Sequence, residues 1–325
     1  MTACDNPLLT ITDFVDYAAV RPEHVTPAVT ALAEDVEKTL LAVLDTSRPA
    51  TWENVVEPLN ESLGRLTRAW GVVGHLQSVC DTPELRDAYN RELPRVSELL
   101  LRISLDTRLY ERYKALRASD AFAELSPVRQ RILERDLRDF RLSGADLPDE
   151  KRARVQEIGE RLSMLSQKFS ENLLDATNAF TLDIEREEDL EGVPEDVKAL
   201  YRATAEAAGK TGWRVTLQFP SYLPFMQFAK NRALREKLYH AFSVRASELD
   251  GGQWDNGPLM KEILTLRDEE AKLLGFANYA ESSLAVKMAS TPKEVTDFLR
   301  NLAHHAKPFA VKDMEALREH AKTHE

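Results

Sequence analysis

Apolar side chains recur every three or four residues along most of this chain. Between Lys151 and Phe180 they occupy positions 155, 158, 162, 165, 169, 173, 176 and 180. This spacing places them along one face of a helix of about eight turns. The same periodicity predicts helices over residues 27–45, 52–80, 83–117, 127–142, 194–208, 231–248 and 258–274. We therefore predict a mainly α fold built from long antiparallel helices.

Two short stretches depart from the helical period. "FTLDI" at 180–184 and "WRVTLQF" at 213–219 alternate apolar and polar residues, which is the period of a half-buried strand. We predict one small two-stranded β element, about 180–184 paired with 213–219. It would enclose the predicted helix at 194–208, because an isolated pair of strands needs a helix to pack on.

Capping residues mark several predicted helix ends. Thr291 precedes Pro292 and Glu294, so a helix should begin at Pro292, with Thr291 as its N-cap and Glu294 closing a capping box. Ser126 stands before a proline in the same way. Gly275 should end the helix before it in a left-handed turn.

Three glycines, Gly64, Gly71 and Gly74, interrupt the predicted helix at 52–80. A glycine inside a helix costs up to about 1 kcal/mol relative to alanine, so each should have a structural reason. Gly64 and Gly71 are seven residues apart and share a face, which favours the close approach of another helix there. A notch that faces a ligand is the alternative. The spacing is not that of a phosphate loop, since no strand precedes it and no G-K-[ST] follows.

Composition argues against several partners. The chain of 325 residues has a formal net charge of −11 and no basic cluster interleaved with aromatic residues, so we expect no nucleic-acid partner. The N-terminus lacks the basic and apolar regions of a signal peptide, and no run of about 18 apolar residues occurs, so we expect no membrane partner. Cys4 and Cys80 suit a reducing compartment, which favours a cytoplasmic protein.

The last helix ends on "REHAKTHE", in which His320 and His324 have the spacing of a zinc-binding H-E-x-x-H helix. A zinc hydrolase needs three protein ligands and a carboxylate that takes a proton from the metal-bound water. Ala321 follows the first histidine, so that carboxylate is missing, and no third ligand is evident. We interpret the segment as an ordinary charged helix end; an adventitious metal clip is the alternative.

Two further pairs of side chains lie close together in the sequence but are unsuited to metal binding or catalysis. His304 and His305 lie about 100° apart on a helix, so they cannot chelate one ion together without distortion. His75 precedes Cys80 by five residues, a spacing that a Cys–His dyad could use only with unusual geometry. We interpret all four as side chains without a catalytic role.

His240, in "KLYHAF", is typical of a histidine that is hydrogen-bonded between helices. Glu171 and Asp175 share a helix face, and paired carboxylates can perform acid–base chemistry, but like charges at this spacing only repel mildly. From residue chemistry alone, we assign no catalytic and no metal-binding residue within 1–325.

Longer stretches of sequence point to a family. They are "NPLL" (6–9), "RPEHVTPAV" (21–29), "TWENVVEPL" (51–59), "LRDFRLSGADLP" (137–148), "RLSMLSQKFSENLLDATNAF" (161–180), "FPSYLPFMQFAKNRALREKLYHAFSVRAS" (219–247) and "WDNGPLMKEILTLRDEEAKLLGFANYAESSLAVKMA" (254–289). In these stretches the chain resembles the thimet-oligopeptidase-like family of zinc metallopeptidases. The resemblance is collinear and covers essentially the whole chain.

This resemblance implies a cytoplasmic endopeptidase that cleaves short oligopeptides in a deep channel between two mainly helical halves. It also implies one Zn²⁺ held by an H-E-F-G-H helix, a motif that residues 1–325 lack. We therefore expect zinc in the full-length enzyme and none bound by residues 1–325. The resemblance divides the chain into an N-terminal helical domain, 1–225, and the beginning of the peptidase catalytic domain, 226–325, truncated before the zinc-binding helix.

Two functions remain open. In the first, the chain is the N-terminal part of a zinc metalloendopeptidase, forming scaffold and channel wall, and is inactive alone. In the second, it is an autonomous helical scaffold or interaction protein without catalytic activity. The first predicts apolar helix faces without partners around 255–320, and such exposed patches favour association. This region includes a helix from Pro292 that Pro308 should kink.

Overall fold

The computed structural model describes residues 6–12 and 14–324 and confirms a mainly α fold. Its α-helices are α1 Pro22–Val43, α2 Glu57–Val79, α3 Pro83–Ser104, α4 Thr107–Arg117, α5 Asp120–Glu124, α6 Pro127–Ser143, α7 Asp149–Ala179, α8 Glu195–Ala207, α9 Phe219–Phe228, α10 Arg232–Val244, α11 Gly257–Leu273, α12 Tyr279–Leu284 and α13 Pro292–His324. The strands are β1 Thr181–Ile184 and β2 Trp213–Thr216. Within the described residues, no helix is long and apolar enough to cross a membrane.

Residue contacts divide the chain into two compact units. The first comprises Met1–Ile158 with Arg267–Glu325, and the second comprises Gly159–Leu266. These units differ from the predicted domains 1–225 and 226–325. The predicted boundary concerns domains of a family, which contacts within this one chain do not test, so it stays a prediction.

The first unit is organised around α1, which packs against α2 and α3. Val25 and Val36 of α1, Leu66 of α2 and Leu109 of α4 are fully buried in one apolar core. Burying a side chain of this kind contributes roughly 1.5–3 kcal/mol. Polar groups also join these helices, since the Thr26 hydroxyl donates to the buried Glu92 carboxylate at 2.7 Å. The helical periodicity of the sequence therefore corresponds to real core faces.

Two of the predicted helices are subdivided. The stretch 83–117 forms α3 and α4, because the Asp106 carboxylate accepts hydrogen bonds from the backbone N–H groups of Arg108 and Leu109 and begins a new helix. The prediction of one continuous helix was wrong there. The stretch 52–80 begins with a turn of π-helix, Trp52–Val56, before α2. The spacing of apolar residues alone predicts neither the break between α3 and α4 nor the π-helical turn before α2.

The second unit contains the predicted β element. β1 pairs antiparallel with β2, and the intervening chain includes α8, as the alternating pattern predicts. Leu190, Tyr201, Val215 and Phe225 are fully buried in its core. The Tyr201 hydroxyl donates to the carbonyl of Ser221 at 2.8 Å, so the largest buried side chain keeps a hydrogen-bond partner.

The helix-end predictions are confirmed with one difference. The Thr291 hydroxyl accepts the Glu294 N–H at 3.1 Å, but the Glu294 carboxylate accepts from the Ser290 N–H, one residue earlier than a capping box requires. Ser126 caps α6 through the N–H of Arg129. Gly275 has φ 87°, the left-handed conformation expected after α11. Along α13, the helix continues through Pro308.

The prediction of a close helix crossing at Gly64 and Gly71 was wrong. A Cβ atom on either residue would have no neighbour within 4 Å in the described part of the chain. Gly74 is the glycine under close contact, since its Cβ would lie 3.5 Å from the ring of Tyr89. Tyr89 in turn stacks on Trp70 with ring centroids 4.5 Å apart. The alternative interpretation, an open notch, fits Gly64.

Candidate functional site

His304, His305 and His320 of α13 are exposed, and the side chain of His324 lies outside the described residues. His304 and His305 have ring centroids 5.5 Å apart, and His320 lies further along the same exposed helix. In residues 6–12 and 14–324, no three His, Cys, Asp or Glu side chains are placed to hold a metal ion. The described donor set therefore does not fit a zinc site, and the assignment of no metal ligand within 1–325 stays a prediction.

The other titratable candidates are His240, His75, Cys80 and Cys4. His240 is exposed on α10, so its interpretation as an interhelical histidine was wrong. His75 contacts the ring of Tyr17 edge-on at 5.3 Å, while Cys80 is an exposed free thiol. The prediction for Cys4 lies outside the described residues.

Glu171 and Asp175 lie on one face of α7, as their spacing requires. Glu171 is buried and accepts a hydrogen bond from the Gln167 amide at 3.2 Å, which satisfies part of its carboxylate. Next to it, the buried Asn172 amide donates to Asn256 at 3.0 Å. This arrangement is a packed polar contact within the second unit. The sequence could not reveal it, because Asn172 and Asn256 are 84 residues apart.

The most extensive candidate site is a surface on α13. We call it the α13 apolar face, comprising Val295, Phe298, Leu299, Leu302, Phe309 and Leu317. Phe298, Leu302 and Phe309 are 65%, 55% and 68% exposed. At 100° per residue all six lie within about 60° of Leu302, so they share one side of the helix over about 33 Å, at 1.5 Å per residue.

The opposite side of α13 carries charged and titratable side chains besides the exposed Val311. Arg300 and His304 are both exposed and lie about 140–180° from Leu302, at 100° per residue. A contiguous apolar stripe rimmed by polar residues is typical of an interaction surface. The α13 apolar face is therefore suited to pack against a further protein segment.

Comparison with known proteins identifies the family. Residues 29–152 match the model of the neurolysin/thimet oligopeptidase N-terminal domain, and residues 225–325 match the model of peptidase family M3. The two matches occur in the order that such a peptidase would have. Residues 225–325 therefore belong to peptidase family M3, and residues 29–152 belong to the N-terminal domain that neurolysin and thimet oligopeptidase share.

The individual relatives show which members of the family the chain resembles. Oligopeptidase A of Haemophilus influenzae is 46% identical over 96% of this chain and 46% of that protein. Oligopeptidase A of Salmonella typhimurium is 45% identical over 98% of this chain and 47% of that protein. A probable cytosolic oligopeptidase A of Arabidopsis thaliana is 41% identical over 99% of this chain and 46% of that protein. The chain is thus similar to oligopeptidase A, and it spans about half the length of these relatives.

Proposed function

We propose that residues 1–325 form the N-terminal scaffold and channel wall of an oligopeptidase A-like zinc metalloendopeptidase. Its substrates would be short oligopeptides, and its location would be cytoplasmic, in line with the name of the cytosolic relative from Arabidopsis thaliana. The single observation that carries this proposal is the 44–46% identity to three bacterial oligopeptidase A proteins over nearly the whole chain.

The zinc ion of such an enzyme would be held by residues outside this chain. This part of the proposal is supported by the donor set, since no described group of three His, Cys, Asp or Glu side chains could hold a metal. A zinc hydrolase keeps three protein ligands and one open position for water. We accordingly assign no catalytic and no metal-binding residue within 1–325. We place a domain boundary at 225/226, near the start of the match to family M3.

The α13 apolar face would contact the remaining part of the peptidase. Burial of exposed apolar area is favourable by roughly 25 cal/mol per Å². Several large side chains along one helix face would therefore supply much of the association energy. The rest of a peptidase, rather than a peptide substrate, is the partner that fits a stripe of this length.

Complementation tests the proposal. The chain is mixed with the portion of Salmonella typhimurium oligopeptidase A that lies beyond the region matched here. We expect hydrolysis of a quenched fluorescent oligopeptide by the mixture, loss of that activity with a chelator, and no hydrolysis by residues 1–325 alone. The control samples contain each of the two halves alone.

Two results would contradict the proposal. One is chelator-sensitive hydrolysis by residues 1–325 alone. The other is a mixture no more active than the second half alone, although both halves are folded by circular dichroism. A folded, monomeric chain that forms no complex would favour the autonomous scaffold.

A further inference from the structure

A cavity of about 430 Å³ lies between the N-terminal segment and the helices α1 and α2 of the first unit. Leu8, Leu9 and Ile11 line one side, and α2 lines the other. Small-molecule sites typically occupy roughly 300–1,000 Å³ and combine apolar walls with a few polar groups. This cavity has both the size and the composition of such a site.

Gly64 forms part of the wall contributed by α2. A Cβ atom at this position would meet no described atom within 4 Å, so the space in front of the glycine is open. No helix crossing requires the glycine, and it destabilises a helix interior by up to about 1 kcal/mol relative to alanine. The missing side chain keeps the cavity open where it borders the helix.

Two arginines, Arg65 and Arg68, follow Gly64 on α2 and also line the cavity. Arg65 is ion-paired with Asp35, so its charge is already compensated. Arg68, on the next turn, donates to the Thr12 carbonyl at 3.3 Å, a contact that uses one of its five N–H groups. Arginine is suited to bind a carboxylate through two parallel hydrogen bonds.

The charged side chains that line the cavity limit the charge of a ligand that could bind there. Because Arg65 is compensated by Asp35, the charges that remain in the described lining are the Arg68 guanidinium and the Glu61 carboxylate. A single available guanidinium beside a carboxylate suits a monoanion better than a dianion such as phosphate. The apolar side formed by Leu8, Leu9 and Ile11 requires an apolar group on the same molecule.

We propose that this cavity binds an amphipathic monocarboxylate, with its aliphatic part against Leu8, Leu9 and Ile11 and its carboxylate on Arg68. The C-terminus of a short aliphatic peptide and a medium-chain fatty acid share this chemistry. The site is separate from the α13 apolar face and does not depend on peptide hydrolysis.

Isothermal titration calorimetry on the 325-residue chain tests the site with three probes: acetyl-Leu-Leu, its C-terminal amide, and octanoate. We expect saturable binding of at least one carboxylate probe. If acetyl-Leu-Leu binds, its amide should bind at least about tenfold more weakly, because it has no negative charge and only one acceptor oxygen and so cannot form the two-hydrogen-bond ion pair with Arg68. Preference for acetyl-Leu-Leu assigns the site to peptides, and preference for octanoate assigns it to fatty acids.

Matched variants distinguish an effect on the cavity from an effect on the stability of α2. Gly64→Leu fills the notch and should weaken binding of the preferred carboxylate at least about tenfold, because the probe loses its space. Gly71→Leu makes the same change on the same helix, where no described atom lies near and no wall of the cavity is formed, and should leave binding unchanged. Arg68→Gln should weaken carboxylate binding and leave the amide unaffected.

The proposal is overturned if wild-type protein shows no saturable binding of either carboxylate probe. Equal binding to the Gly64→Leu and Gly71→Leu variants would also overturn it, with helix content by circular dichroism confirming that both are folded. Because the readout is binding to residues 1–325 alone, its failure is distinguishable from failure of the proposed peptidase function.

Discussion

Asp136 lies on α6 with its Oδ2 atom buried and without a hydrogen-bond partner among the described residues. Burial raises the pKa of this carboxyl to about 6 from an ordinary value of 3.8, and the nearby charge of Asp139 adds to the rise. The folded state therefore holds a proton that the unfolded state releases. Its favourable contribution is complete below about pH 4 and is lost as the pH rises through about 6.

We predict that Asp136→Asn stabilises the protein at neutral pH and not in acid. At pH 7.5 the variant should gain about 1–2 kcal/mol, a figure reduced for partial solvent screening of the carboxyl. At pH 4 the two proteins should unfold alike. Urea unfolding at both pH values measures the difference.

Glu134→Gln is the matched control on the same helix, because Glu134 is exposed. It should change the free energy of unfolding by less than about 0.5 kcal/mol at either pH. An Asp136→Asn variant equally destabilised at pH 4 and pH 7.5 would show that the burial of this charge does not govern the effect.

Gly192 provides a second test at the scale of one residue. It has φ 91°, and a Cβ atom would lie 2.3 Å from the carbonyl oxygen of Phe228. We predict that Gly192→Ala destabilises the second unit by about 3 kcal/mol, since conformational strain and a backbone clash add. Gly209→Ala, with φ 69° and no described neighbour within 4 Å, should cost only about 1 kcal/mol.

Thermal unfolding followed by circular dichroism compares the two glycine variants. Equal melting temperatures would contradict the role of the Phe228 carbonyl, because the left-handed conformation alone is common to both positions. A lower melting temperature for Gly192→Ala is the expected result.

Single residues were predictable where their effect is local. Thr291 and Gly275 act on helix ends within a few residues of themselves, and their roles are confirmed. Gly64 and His240 were misinterpreted because their surroundings depend on which distant segments pack nearby. The Asn172–Asn256 contact, across 84 residues, has no local signal at all.

Elements were predictable to the extent that their apolar periodicity is regular. The alternation in 180–184 and 213–219 predicted β1 and β2, which pair as expected. The break between α3 and α4 was missed because Leu101, Leu105 and Leu109 keep the helical spacing across it. The side chain of Asp106 caps α4 and so sets the boundary, and the spacing of apolar residues does not predict such a cap.

The α13 apolar face leads to a prediction at the scale of an element. Because its side chains are exposed, the chain should bind the dye ANS and associate as its concentration rises. Phe309→Gln should reduce both effects and leave the melting temperature within about 2 °C, since a surface change is worth less than about 0.5 kcal/mol.

Val311→Gln is the matched control, because Val311 is also exposed but lies about 180° from Leu302, on the opposite side of α13. ANS fluorescence and sedimentation velocity measure the two variants in parallel. A wild-type chain that stays monomeric and does not bind ANS would contradict the presence of an interaction surface on this helix.

At the scale of the whole molecule, physical reasoning and resemblance contribute different things. The fold class follows from the apolar pattern, and the structure confirms it. The family comes from identity over long stretches, which the comparisons confirm. From the sequence we assign no catalytic and no metal-binding residue within 1–325, because residue spacing offers no set of three ligands that a zinc hydrolase requires, and this assignment stays a prediction.

The central claim is that residues 1–325 are a peptidase scaffold without their own zinc site. The most direct test incubates the purified chain with zinc, removes free metal, and measures bound zinc by mass spectrometry together with turnover of a quenched fluorescent oligopeptide. We predict less than stoichiometric zinc and no turnover above buffer, for wild type and His320→Ala alike. One tightly bound zinc per chain, with turnover that His320→Ala abolishes, would contradict the account.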